Sequence, residues 1–220
     1  MSDVAGNVRA VRERIARAAE RAGRDPASVR LIAVSKTQPA EAVRAALDAG
    51  VTDVGENYVQ EGQAKRAAVG DAGAAWHLIG HLQRNKAARA IEAFDCIQTV
   101  DSAALGAALS RQAQALGRSV RLLVEVRLGG EASKNGVDPE ALPALLAALQ
   151  LPGLAVEGLM TVPPPGEPEQ ARPHFRTLRA LAERAGLREL SMGMSDDYEV
   201  AIEEGATMVR VGRAIFGARA

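Results

Sequence analysis

Lys36 ends the run Leu-Ile-Ala-Val-Ser-Lys at residues 31–36, where apolar residues give way to Thr-Gln-Pro. Side chains alternate along an extended strand, so Ile32, Val34 and Lys36 share one face while Leu31, Ala33 and Ser35 share the other. If the first face fills the inside of a closed sheet, the lysine points into its mouth. Desolvation there disfavours the ammonium and frees the neutral amine that attacks a carbonyl. A lysine paired with a carboxylate at a strand end would look the same, and position alone leaves both readings open.

Two segments further on have the makings of a phosphate site. In Ser-Met-Gly-Met-Ser-Asp-Asp (191–197), Met194 precedes Ser195, which suits a helix N-cap whose following amides are free. In Val-Arg-Val-Gly-Arg (209–213), Gly212 stands directly after a strand, where backbone can come close to an anion. Asp196 and Asp197 oppose an anion, yet carboxylates in a first helical turn also suit the helix dipole and are expected to face solvent.

Arg210 shares parity with Met208 and is expected to point inward, across the ring from Lys36. Glu125 is its expected salt-bridge partner, and Arg127, inward by the same parity, is given the same structural role. His77 and His81 flank the end of another strand, but strand and loop intervene and no third ligand accompanies them, so a metal is not expected. Trp76 reads as a packing residue and Lys134 as a solvated loop lysine.

The elements that must position these residues are legible from periodicity. Val4, Val8, Val11, Ile15 and Ala19 recur at helical spacing before the Gly-Arg-Asp-Pro break at 23–26. Short apolar runs then alternate with Ala/Leu-rich helical stretches, the runs falling at 31–36, 53–57, 76–80, 97–100, 121–128, 155–162, 189–192 and 208–212. Eight βα units predict a parallel sheet closed into a single (β/α)₈ barrel, an α/β fold with an extra N-terminal helix. In such a barrel, ligands lie at the carboxyl ends of the strands, with phosphate usually held by the loops after strands seven and eight. Only residues 213–220 follow the last strand, and the N-terminal helix is expected to cover the gap this leaves.

A chain of 220 residues with 47% hydrophobic composition suits one domain, spanning 1–220. Its 27 basic residues cancel its 27 acidic ones, which argues against nucleic acid or an anionic membrane as partner. The single cysteine, Cys96, sits among apolar residues as a small hydrophobe and fits a reducing compartment. No apolar run is long enough to cross a membrane and no signal-peptide core is evident, so a cytoplasmic location is expected.

The motifs LIAVSKTQP, GENYVQE, WHLIGHLQRNK, SKNG, GLMTVPPP and LSMGMSDDYEVAIEEGATMVRVGRAIFG, in this order over nearly the whole chain, resemble the pyridoxal phosphate homeostasis protein family. That family has the barrel of the alanine racemase N-terminal domain and no second domain. The resemblance implies that Lys36 forms a Schiff base with pyridoxal 5′-phosphate (PLP), that Asn57 lies beside the cofactor, that Ser195 and the Gly212 region hold the phosphate, and that Arg210 faces the pyridine nitrogen. His77, Met194 and Arg213 complete the expected cofactor-binding set. Two positions depart from the family pattern: His81 stands where a proline is common, and Arg213 where a threonine often supplies a phosphate contact. Arg213 could still serve through its amide, or through a charge-assisted contact of its own.

PLP draws electrons most strongly when a carboxylate keeps its ring nitrogen protonated, and arginine does not readily accept that proton. Racemisation also needs a second acid–base group, supplied in alanine racemase by a C-terminal domain. Tyr58 is the tyrosine placed to substitute. The expectation is therefore a carrier or buffer of PLP, monomeric, with no catalytic residue assigned and with PLP-dependent apoenzymes as candidate recipients. Two alternatives stay open: a PLP-dependent amino-acid racemase, and a lysine-dependent aldolase acting on a phosphosugar.

Overall fold

Eight parallel strands close into a barrel in simple sequence order in a computed structural model that describes residues 3–70, 72–129 and 135–217. The strands are β1 (Arg30–Val34), β2 (Asp53–Glu56), β3 (Ala75–Leu78), β4 (Cys96–Val100), β5 (Val120–Glu125), β6 (Leu154–Met160), β7 (Glu189–Ser191) and β8 (Met208–Val211). Closure comes from β8 pairing with β1, in a register that sets Met208 beside Arg30 and Arg210 beside Ile32. Lys36 and Arg210 thus rise from neighbouring strands, which corrects the expectation that they face each other across the ring.

The period-two pattern sorts side chains onto two surfaces. Ile32, Cys96, Leu123, Met160 and Met208 form a small apolar cluster inside the barrel. Leu31, Ala33, Val54, Trp76, Leu78 and Val209 instead join the larger core between strands and helices, so Trp76 packs as expected. Cys96 is fully buried, and burial pushes its thiol up to about 12.

The helices are α1 (Val4–Arg21), α2 (Ala40–Asp48), α3 (Val59–Val69), α4 (Ala87–Ala93), α5 (Ala103–Ala115), α6 (Leu142–Ala148), α7 (Pro168–Ala185), α8 (Tyr198–Glu203) and α9 (Arg213–Phe216). Because α9 is so short, α1 packs against it and against α2 and α8, covering the β8–β1 seam as expected. Its apolar stripe, Val4, Val8, Val11 and Ile15, is buried there. Polar contacts fix the docking: Asn7 donates to the Ile215 carbonyl at 2.8 Å, and Arg14 pairs with Glu199 at 2.7 Å.

Candidate functional site

Lys36 stands two residues past β1, half-buried. The strand ladder runs on to Ser35, whose N–H donates to Gly55 O at 3.0 Å, and this brings Lys36 to the carboxyl ends of the strands. Thr37, next in the chain, has φ +65°, an uncommon conformation for a β-branched residue.

Arg210 is 4% exposed and points inward. One terminal nitrogen donates to Ser191 Oγ at 2.8 Å and the other to Thr161 O at 2.9 Å. Burial lowers its pKa to about 10, against the opposing pull of Asp197 and Glu125. The expected Arg210–Glu125 salt bridge does not form: among the described residues, Glu125 acts on Arg210 only through its field. Arg127 departs further from expectation, because β5 ends at Glu125 and the Arg127 guanidinium pairs with Asp138 at 2.7 Å on the outer loop.

Beneath Arg210, polar side chains cross the barrel. Ser191 Oγ donates to Gln98 Oε1 at 2.6 Å, the Gln98 amide meets His77 Nδ1 at 2.9 Å, and His77 Nε2 meets Asp53 Oδ1 at 2.9 Å. His77 has no exposed surface and both ring nitrogens are engaged. The expected cofactor-binding His77 thus stands as a link between Gln98 and Asp53 in the barrel interior. His81 lies apart from it, with Nδ1 3.8 Å from Asp101.

The segment after β7 is a turn and not the start of a helix. The Met194 carbonyl accepts from the amides of Asp197 and Tyr198, and the Met194 amide donates to Asp197 Oδ1 at 2.6 Å. The helix begins at Tyr198 with Asp197 at the N-cap position, so Ser195 is not the cap expected of it. Gly193, at φ +89°, makes this turn possible, and a Cβ there would come within 2.6 Å of the Ala201 side chain. Asp197 is half-buried, which raises its carboxyl pKa. Asp196 is exposed and pairs with the Arg213 guanidinium. Gly212 caps α9, and a Cβ on it would press on Val34 O at 3.1 Å, so the backbone there lies close against β1.

Asn57 follows β2 and lines a cavity of about 330 Å³ at the barrel mouth with Gly80, His81, Thr99, Glu125 and Pro163. Gly80 is required by that approach, since a Cβ there would stand 2.2 Å from the Asn57 carbonyl oxygen. Asn57 Oδ1 and Glu125 Oε2 are buried without a hydrogen-bond partner. Burial and the nearby Asp101 raise the Glu125 carboxyl pKa to about 7, with Arg210 opposing. Tyr58 is 61% exposed at the N-cap of α3. Lys134 lies outside the described residues.

Sequence reasoning missed one cluster beside Lys36. Lys65 of α3 is buried and bonded to Glu56, Glu61 and the Ser35 carbonyl. Its spacing from Glu61 is that of an ordinary exposed helical ion pair, which conceals its burial.

Residues 7–220 match the family described as alanine racemase, N-terminal domain. The chain is 49% identical to a pyridoxal phosphate homeostasis protein of Pseudomonas aeruginosa, with 100% of this chain and 97% of that protein covered. The chain belongs to the pyridoxal phosphate homeostasis protein family. A family member of Escherichia coli K12 is 44% identical, over 100% of this chain and 98% of its own. The solved structure of PipY from Synechococcus elongatus, with PLP bound, is 44% identical with TM-score 0.82, covering 94% of this chain and 100% of that one. Alanine racemase of Clostridium difficile, at 16% identity and TM-score 0.74, shares the fold over 57% of its length.

The residues at the mouth fit such a cofactor. A buried side-chain oxygen without a partner at Asn57 is what a bound group would satisfy. The buried Arg210 guanidinium has no carboxylate within ion-pair distance among the described residues, which leaves its remaining N–H groups for a ligand acceptor. The amides of Ser195 and Asp196 likewise take no partner among the described residues.

Proposed function

We propose that this chain holds PLP on Lys36 as a Schiff base, in one barrel domain spanning 1–220, and carries or buffers the cofactor in the cytoplasm as a monomer without turning over a substrate. The observation that supports this is the buried, inward-pointing Arg210 on β8, beside the strand β1 that leads into Lys36 at the barrel mouth. Relatives bearing the homeostasis name over their full length support the same conclusion.

When bound, the cofactor supplies an aldehyde for an amine and a ring that draws electrons. Lys36, half-buried just past β1, is the amine. Arg210 would offer N–H groups to the ring nitrogen and, being a donor only, would favour that nitrogen unprotonated. The Ser195 and Asp196 amides and the backbone at Gly212 and Arg213 would hold the phosphate, with Met194 flanking the turn. Asn57, whose buried Oδ1 has no partner, would offer the cofactor a polar contact. PLP-dependent apoenzymes are the recipients such a carrier would serve.

Purified protein mixed with PLP should develop a visible absorbance band, and borohydride should fix the cofactor to the peptide containing Lys36. A band that persists in Lys36→Ala would overturn the assignment. The exposed position of Tyr58 one residue from Asn57 favours a second reading, a racemase-like enzyme. Steady turnover of an amino acid, abolished by Lys36→Ala and impaired by Tyr58→Phe, would establish it.

A further inference from the structure

Both peptide groups that flank Lys36 are held by charged side chains from the β2–α3 unit. On the N-terminal side, Lys65 Nζ donates to the Ser35 carbonyl, and Ser35 Oγ donates to Glu56 Oε1 at 2.5 Å. On the C-terminal side, the Thr37 N–H donates to Glu61 Oε1 at 2.6 Å. Lys65 joins the two sides, because the same Nζ lies 2.7 Å from Glu56 Oε1 and 2.7 Å from Glu61 Oε1. Glu56 has no exposed surface and Lys65 is 7% exposed.

Fold stability alone does not account for this arrangement. Taking charges out of water is costly, and a buried ion pair commonly contributes no more than apolar side chains of the same volume would. Burial also raises the Glu56 pKa, with Lys65 and Ser35 opposing. What the cluster does achieve is geometric. It fixes the carbonyl before Lys36 and the amide after it, and it satisfies the Thr37 amide in a conformation with φ +65° that a β-branched residue adopts only when its surroundings impose it. With both neighbouring peptide planes fixed, the direction in which the Lys36 side chain leaves the backbone is fixed too.

We propose that Lys65, together with Glu56 and Glu61, is a positioning assembly for Lys36 that aims its amine at the carbonyl carbon of the bound cofactor. This rests on Lys36 being the PLP lysine. Lys65 touches the backbone on one side of Lys36 and, through Glu61, governs the other, so it acts on the reaction through Lys36 and not on the cofactor itself.

The experiment compares wild type, Lys65→Met, Lys65→Arg and Glu61→Leu, each loaded with PLP, by two quantities: total cofactor bound at equilibrium, and the fraction of that cofactor fixed by borohydride to the Lys36 peptide. Circular dichroism and urea unfolding report folding in parallel. Lys65→Met should lower the fixed fraction at least fivefold and slow the growth of the visible band tenfold or more, with Lys65→Arg recovering most of both. A merely destabilised protein would lose bound and fixed cofactor in proportion, leaving the fraction unchanged. Glu61 is less buried than Glu56, so Glu61→Leu keeps the test open if Lys65→Met does not fold; it should lower the fixed fraction about threefold. A wild-type fraction and rate in every folded variant overturns the proposal while leaving Lys36 as the cofactor lysine. Failure of wild type to fix PLP on Lys36 overturns the function on which it rests.

Discussion

Arg210 donates a 2.8 Å hydrogen bond to Ser191 Oγ, and through that hydroxyl it is tied to a file of polar side chains that crosses the interior to Gln98 on β4 and returns through His77 to Asp53 on β2. The file gives a buried guanidinium a fixed orientation without a carboxylate beside it, which is how an arginine could face a ring nitrogen while remaining only a donor.

Ser191→Ala removes the shared hydroxyl and leaves both Gln98 Oε1 and an Arg210 N–H buried and unpaired. Urea unfolding should show a loss of about 1–3 kcal/mol for the unsatisfied groups. PLP affinity should fall by about tenfold, because a guanidinium freed of one anchor can swing from the ring. Unchanged stability and affinity would show that the file does not orient Arg210.

His77 separates an interior role from a cofactor role. In His77→Leu, Asp53 and Gln98 each lose a buried partner, and the protein should be destabilised by at least about 2 kcal/mol. The absorbance maximum of the bound cofactor should stay where it is at saturating PLP, since neither ring nitrogen is available to it. A shifted maximum in a folded variant would return His77 to the binding set.

The barrel was legible because alternation and helical spacing are local signals. Ile32 and Met208 against Leu31 and Val209 could be sorted from parity alone, and the interior cluster follows that sorting. Where parity had to be combined with a partner, it went astray. Arg127 obeys no interior parity because β5 stops two residues earlier, and Glu125 does not bond Arg210 because the nearer acceptors are a hydroxyl and a carbonyl. Ser195 resembles an N-cap, but the Asp197 carboxylate takes the Met194 amide and moves the helix start to Tyr198. Lys65 was invisible, since nothing in a Glu61–Lys65 spacing tells a buried helical face from an exposed one.

Glu125 predicts a pH dependence. Its folded-state pKa of about 7 lies above the value of about 4.5 expected in the unfolded chain, so the protonated carboxyl is the form the fold favours. The contribution is fully present below about pH 4.5 and is lost as pH rises through about 7, amounting to about 3 kcal/mol between those limits. Glu125→Gln, which cannot ionise, should therefore flatten the decline in cofactor-free stability between pH 5 and pH 8 and be the more stable protein at pH 8. If the two proteins show parallel pH profiles in urea unfolding, Glu125 is not the group responsible.

Arg213 tests whether the phosphate is held by backbone or by side chain. Its guanidinium is paired with Asp196, and both side chains are largely exposed, so the pair should contribute only about 0–1 kcal/mol to stability. If amides at the starts of the Met194 and Gly212 turns hold the phosphate, Arg213→Thr should leave PLP affinity within about threefold of wild type. Asp196→Ala separates the two cases further, because it releases the guanidinium without touching any amide. With a backbone cradle, the variant should bind PLP somewhat more tightly at low ionic strength, by long-range attraction that about 0.15 M salt largely screens. A salt-resistant gain of tenfold or more would instead mean that the freed Arg213 bonds the phosphate directly.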